Sequence, residues 1–335
     1  MKLTAYTDES VFDELRPEWD ELLHRSSSDL IFCTWEWQST WWKAYRAGAL
    51  WVVTCRDDAG QLVGIGSWLI QQTNGERVVR TIGCVDVTDY VDIIVDQDHT
   101  EAVQDAFAAF LKDNHEAFDR INLCNIPEAS PTLAHFPVKL QELGFNVEVE
   151  LQEVCPVIDL PDQWETYLER LDKKERHEIR RKMRRAEGEA SLQWYVVDET
   201  CDIEAEVEKF LHLMRSSHPD KAKFLDDPHN AAFFKAIVPQ VYQCGWLKMT
   251  FLVVNGTPSA AYCDFDYGNR IQVYNSGLLP FENAHLSPGI VLLGMNIRDA
   301  IEKKRAVFDF LRGNETYKYR MGAVDTKVFK LKARM

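Results

Sequence analysis

From Trp246 to Gly277 three β-rich stretches, WLKMTFLVVNG, TPSAAYCDFDYGN and RIQVYNSG, follow one another almost without interruption. Only Asn255-Gly256 and Gly268-Asn269 separate them, and such pairs accept the positive φ of tight hairpin turns. The spacing predicts an antiparallel three-strand meander. Further on, Ile290, Leu292, Leu293 and Ile297 recur at helical spacing, which marks a helix with one apolar face. A chain of this pattern is a mixed α/β structure, neither a helical bundle nor an all-β barrel.

The first half reads in the same order. Phe12, Leu15, Trp19 and Leu22 lie at helical spacing, and a second helix runs from Trp35 to a glycine stop at Gly48. ALWVVTCRDDAGQLVGIGSWLIQQ predicts a hairpin turning at Asp58-Ala59-Gly60. YVDIIV, the helical EAVQDAFAAFLKD, the strand FDRINLC and a helix from Leu133 to Leu143 complete this half. The segment from Cys155 to Trp164 is the expected passage between two related domains, 1–155 and 156–335. Beyond it come a basic helix interrupted at Gly188, the strand SLQWYVV, and helices over Ile203 to Arg215 and Asn230 to Gln243.

With 335 residues, 46% of them hydrophobic, and ten tryptophans, the chain can fill substantial cores. A formal charge of -15 weighs against nonspecific binding to nucleic acid or anionic lipid. MKLTAYTDES lacks the apolar segment of a secretory signal and no run is long enough to be a transmembrane segment, so a cytoplasmic protein is expected. The eight cysteines are scattered, without a CxxC pair or a cysteine–histidine cluster. Free thiols and no metal site are the expectation.

YNSGLLPFENAHLSPGIVLLGMNIRDAIEKK is the most informative stretch. A strand ends at Gly277, a loop follows, and Ser287-Pro288-Gly289 opens the helix. Ser287 can cap free amides, Pro288 suits a first turn, and Gly289 leaves room for a ligand. A helix start after a strand can receive a pyrophosphate, though the same three residues also describe an ordinary capped helix. Neither GxxxxGK[ST] nor GxGxxG occurs, which excludes the P-loop and dinucleotide folds.

A second candidate stretch is FDFLRGNETYKYRMG, where an apolar strand ends among ionisable side chains. The set PEWDELL, FCTWEWQSTWW, YNSGLLPFENAHLSPGIVLL and FDFLRGNETYKYRMGA, in this order, resembles the CelD/BcsL-type acetyltransferase family. That family is a branch of the GNAT superfamily, related to the Fem aminoacyl transferases. The resemblance implies tandem GNAT-like α/β domains, with mixed sheets flanked by helices. It also implies transfer from acetyl-CoA or another acyl-CoA to an amine or hydroxyl. The acceptor would be a polysaccharide precursor or an envelope-related small molecule, with polysaccharide-assembly proteins as partners. Two alternatives stand beside it: a non-catalytic scaffold in polysaccharide assembly, and an RNA- or tRNA-associated aminoacyl transferase. The stretch YNSGLLPFENAHLSPGIVLLGMNIRDAIEKK lacks the R/QxxGxG/A coenzyme signature of ordinary GNAT enzymes.

Ser287, Pro288 and Gly289 match the family's SPG motif, and Asp309, Arg312, Gly313, Glu315, Tyr317 and Lys318 match its terminal motif. Asn275, Ser276, Ser287 and Gly289 are therefore candidates for coenzyme binding. Asp309 would accept the acceptor's proton, orient the acceptor or hold Arg312, although a carboxylate with a pKa of about 4 is a weak base near neutrality. Tyr317 would donate to the thioester or departing thiolate, and Lys318, alternating with it on a strand, would support nearby charge. A tyrosine at a strand edge and a solvent-facing lysine also serve purely structural roles. Tyr262, Asp264 and Asp266 share a strand face and could meet the acceptor together with Arg312 and His285, or merely end a hairpin and a loop. The basic run from Lys173 to Arg185 could meet phosphates, RNA or an acidic partner, or form a solvated helix seated on Ile179 and Met183.

Overall fold

The computed structural model describes residues 1–84 and 87–335, which divide into two units: Met1–Glu153 with Lys327–Met335, and Val154–Thr326. The first unit runs β1 (Lys2–Tyr6), α1 (Ser10–His24), α2 (Trp35–Tyr45), β2 (Ala49–Arg56), β3 (Leu62–Thr73), β4 (Glu76–Thr81), β5 (Ile94–Val95), α3 (Thr100–Asp113), β6 (Arg120–Pro127), α4 (Pro131–Glu142) and the start of β7 (Asn146–Asp159). The second continues with α5 (Trp164–Arg170), α6 (Lys173–Glu189), β8 (Leu192–Val196), α7 (Ile203–Ser217), α8 (Pro219–Asp226), α9 (Pro228–Gln243), β9 (Leu247–Val254), β10 (Thr257–Tyr267), β11 (Arg270–Leu278), α10 (Pro288–Glu302), β12 (Val307–Asp309), α11 (Thr316–Arg320) and the start of β13 (Val324–Arg334). The rest of β13 returns to the first unit. A boundary at a single point cannot express that return.

The two units repeat one pattern. In the first, β2, β3 and β4 form an antiparallel meander, and β6, reached through α3, pairs parallel to β4 and antiparallel to β13. In the second, β9, β10 and β11 form the meander, and β12, reached through α10, pairs parallel to β11 and antiparallel to β7. β1 and β8 extend the two meanders.

The expected meander is thus present, and its turns have the expected cause: Asn255 and Gly256 take φ of 51° and 83°, Gly268 and Asn269 59° and 58°. Val291, Leu292, Leu293 and Ile297 of α10 pack with Leu252, Tyr262, Ile271 and Phe308 into the core of the second unit. On the other sheet face α7 comes so close at Gly277 that a Cβ there would stand 2.3 Å from the backbone nitrogen of Met214. Any side chain at that position would push helix and strand apart.

Other expectations are corrected. α2 stops at a left-handed Arg46 rather than at Gly48, and α6 runs through Gly188 to Glu189. YVDIIV pairs only at Ile94–Val95. Cys84 and Cys124 form a disulfide, because the end of β4 and strand β6 bring two cysteines 40 residues apart in sequence within 5.9 Å, Cα to Cα. The helix α8 has no counterpart in the sequence reading. Residues 316–320, expected as a strand, form the short helix α11.

Candidate functional site

β11 pairs with β12 only from Arg270 to Gln272, and beyond that point the two parallel strands no longer pair. A β-bulge opposite Cys263 and Asp264 makes Tyr274 the extra residue of β11. On this register Ser276 stands opposite Tyr262, whereas Asn275 stands opposite Cys263 on the other face. A pocket of about 310 Å³ opens there, lined by Tyr262, Ser276, Leu278, Ser287, Gly289 and Tyr317 among others. Its position beyond the carboxyl end of a parallel pair is a common one for ligands in α/β sheets. Its volume lies near the lower end of small-molecule sites, enough for the reacting end of a ligand but not for a whole nucleotide.

Five candidate residues from three different stretches therefore meet in one place: Tyr262, Ser276, Ser287, Gly289 and Tyr317. Ser287 corrects one expectation. Its φ and ψ are both 54° and its side chain accepts no bond from the first turn of α10, so it is not the cap its sequence position suggests. A Cβ at Gly289 would meet only Leu278 Cδ2, at 3.4 Å, so packing alone does not demand a glycine there.

The tyrosines are the chemical groups of the pocket. Burial pushes the phenol of Tyr317 up, and Glu315 and Asp264 add to the effect. Burial likewise raises Tyr262, helped by Tyr317 and Asp264. Both stay protonated near neutrality, the state in which a phenol donates. The Tyr317 ring packs edge-on against Phe310 at 6.0 Å.

The remaining candidates are placed elsewhere. Asp309 is wholly buried, with one oxygen 2.9 Å from Arg270 Nη1 and the other accepting from the Leu311 amide at 2.8 Å. It holds the turn in which Leu311 takes a left-handed φ of 56°. Lys318 is also buried: its Nζ donates to the carbonyls of Leu311, Arg312 and Gly313 and pairs with Glu315 at 2.9 Å. Its charge is spent inside that turn. The Arg312 carbonyl is one of those acceptors, and Arg312 is not among the residues that line the pocket.

Asp264 and Asp266 do share the Tyr262 side of β10, yet neither lines the pocket. Asp264 accepts from Asn296 at 3.4 Å, and burial raises its carboxyl well above the ordinary range. Asp266 pairs with Arg305 at 2.7 Å. His285 is exposed and Asn275 is turned to the opposite sheet face. Among the described residues no cluster of three or more metal-ligating side chains occurs. Part of the charge on the basic helix α6 is paired: Arg180 with Glu165, Arg181 and Lys182 with Glu178, and Arg185 with Glu189.

One residue escaped the sequence reading. Lys221 of α8 reaches β11 and places its Nζ 2.5 Å from the carbonyl oxygen of Ser276 and 3.2 Å from its Oγ. Burial pushes this amine down to about 8, with Glu315 pulling the other way. Only the Pro219 helix-start signal pointed toward α8.

The family match falls on this same unit. Residues 173–319 match the acetyltransferase (GNAT) domain. No curated protein matches the sequence. Among solved structures, the crystal structure of FemX is similar at 12% identity and a TM-score of 0.66, covering 98% of this chain and 97% of that one. L-PGS from Bacillus licheniformis is similar at 10% identity and 0.57, covering 95% and 91%. A tandem GNAT protein from the clavulanic acid biosynthesis pathway is similar at 12% and 0.50, covering 98% of both chains. The fold is GNAT-like, and the GNAT match points to an acyltransferase.

Proposed function

We propose that the protein transfers an acyl group from acetyl-CoA or another acyl-CoA to an amine or hydroxyl, at the pocket beside Tyr262 and Tyr317. The observation that carries this reading is that Tyr317, whose phenol is protonated near neutrality, lines the same pocket as the start of α10. The thioester supplies an activated carbonyl and a sulfur leaving group. Gly289 and Ser287 would border the pantetheine chain, Ser276 would flank the acyl group, and Tyr317 would give its proton to the departing sulfur. Tyr262, on the opposite wall, would hold the thioester oxygen. Asp309 and Lys318 act one step removed, by fixing the turn that delivers Tyr317.

The acceptor we propose is a polysaccharide precursor or an envelope-related small molecule, which rests on the motif resemblance alone. Calorimetric titration of the folded protein with acetyl-CoA and longer acyl-CoAs is the test. Binding at micromolar to millimolar levels, abolished by bulk at Gly289, supports the reading, and absence of binding across the panel overturns it.

Aminoacyl transfer is the second reading, because L-PGS from Bacillus licheniformis is similar in fold, as is the C-terminal domain of a putative lysylphosphatidylglycerol synthetase from Agrobacterium fabrum, at 10% identity and a TM-score of 0.57. It predicts association with RNA that weakens steeply with salt. Ion pairs within the protein already engage Arg180, Arg181, Lys182 and Arg185 of α6.

A further inference from the structure

Acyl transfer needs a group to take the acceptor's proton, and Asp309 is committed to Arg270 and Leu311. We infer that Lys221 takes that proton, relayed by the hydroxyl of Ser276. The inference rests on the acyl-transfer reading above.

The geometry is that of a neutral amine poised on a hydroxyl. A neutral lysine nitrogen has two N–H donors and one lone pair. One donor serves the Ser276 carbonyl at 2.5 Å, and the lone pair can accept the Ser276 O–H across 3.2 Å. Ser276 in turn lines the pocket with Tyr317. The amine sits near 8 rather than at its ordinary value because burial disfavours its charge, so a useful fraction is neutral at physiological pH.

Glu315, entering α11, is the acid that acts on Lys221, and it is itself paired with Lys318. On the neighbouring helices Arg215 of α7 pairs with Asp226, and His229 of α9 with Asp227. Tyr262 and Tyr317 are the titratable groups of the pocket.

The step balances. The acceptor's N–H or O–H proton passes to Ser276 Oγ as the serine's own proton moves to Lys221 Nζ. The acceptor's lone pair attacks the thioester carbon, the C–S bond breaks, and the Tyr317 proton goes to sulfur. Lys221 then returns its proton to the Tyr317 phenolate through solvent. The net products are the acylated acceptor and free thiol.

The experiment uses acetyl-CoA as donor and ethanolamine, which carries both an amine and a hydroxyl, as model acceptor. Thiol release is followed from pH 6 to 10 for wild type, Lys221→Met and Ser276→Ala, with acetyl-CoA affinity measured separately. The side-chain amine of Lys221 is titrated by NMR in the wild type. The expected wild-type kcat/KM rises with pH through about 8, because the neutral amine is the active form. Lys221→Met should lose that limb and fall by roughly 10² to 10⁴, the range of one general base, with acetyl-CoA affinity kept within about threefold. Ser276→Ala should lose the same limb. A Lys221→Met protein that keeps both rate and limb, or an amine that titrates at its ordinary value, overturns the inference alone. A folded wild type that binds no acetyl-CoA overturns the acyl-transfer reading instead.

Discussion

The phenol of Tyr262 stands 3.5 Å from the main-chain oxygen of Gly289, beyond the roughly 2.5–3.0 Å of a good O–H···O bond. β10 and the start of α10 therefore approach each other across the pocket without closing it. A ligand that accepts from this hydroxyl would exchange a weak bond for a better one, at little cost to the fold.

Tyr262→Phe should accordingly change unfolding stability by less than about 1 kcal/mol, since a long bond contributes little. Acetyl-CoA turnover should fall several-fold in the same protein. Urea unfolding and steady-state kinetics on one preparation check both halves.

Lys318 behaves in the opposite way. Its buried Nζ satisfies three consecutive turn carbonyls and pairs with Glu315. Lys318→Met strips those oxygens of their donor, and stability should drop by about 3 kcal/mol, the scale for breaking a buried hydrogen-bonded charge. If the variant instead unfolds like wild type and loses only turnover, the lysine belongs to the chemistry after all.

The sequence made the meander readable because its turns are local: Asn255-Gly256 and Gly268-Asn269 carry their own φ requirement. It also made Ser287, Gly289 and Tyr317 readable as a set, though only through motif order. What it could not display is register. One bulge at Tyr274 puts Ser276 on the pocket side and sends Asn275 away, and no residue type announces it. Asp309 and Lys318 looked catalytic because charge at a strand end reads alike whether it meets a ligand or the backbone. The return of β13 to the first unit and the reach of Lys221 to Ser276 are contacts between distant positions, invisible to periodicity. TYKYR is too short for helical spacing to show.

α6 offers a test of charge. Arg181 holds the Glu178 carboxyl down at about 2, and Lys182 adds to the effect. Because the folded value lies below the ordinary one, the pair's small, solvent-screened contribution is present above pH ~4 and lost as pH falls through 2. Replacing Arg181 and Arg184 together by glutamine should return Glu178 toward its ordinary range in an NMR titration. Acetyl-CoA affinity and its salt dependence should stay unchanged, because these arginines are not part of the pocket. A salt slope that falls by about one unit or more for a phosphate-bearing acceptor would mark α6 as a binding surface.

Tyr317 is the sharpest prediction. Phe310 packs against its ring and Tyr317 lines the pocket, so Tyr317→Phe removes one oxygen and leaves the shape. Stability should hold within about 1 kcal/mol, and acetyl-CoA affinity should change little. Turnover should fall by roughly tenfold to a thousandfold, the range for one proton donor or electrostatic contact in a transition state. Because the phenol is shifted upward by burial, its ionisation should not depress the wild-type rate anywhere below pH ~10. A thiol that departs without help should also erase the difference: an acyl-CoA analogue with a more acidic leaving thiol should react almost equally with both proteins. If the variant's deficit persists undiminished with that analogue, Tyr317 orients the thioester instead of protonating its sulfur.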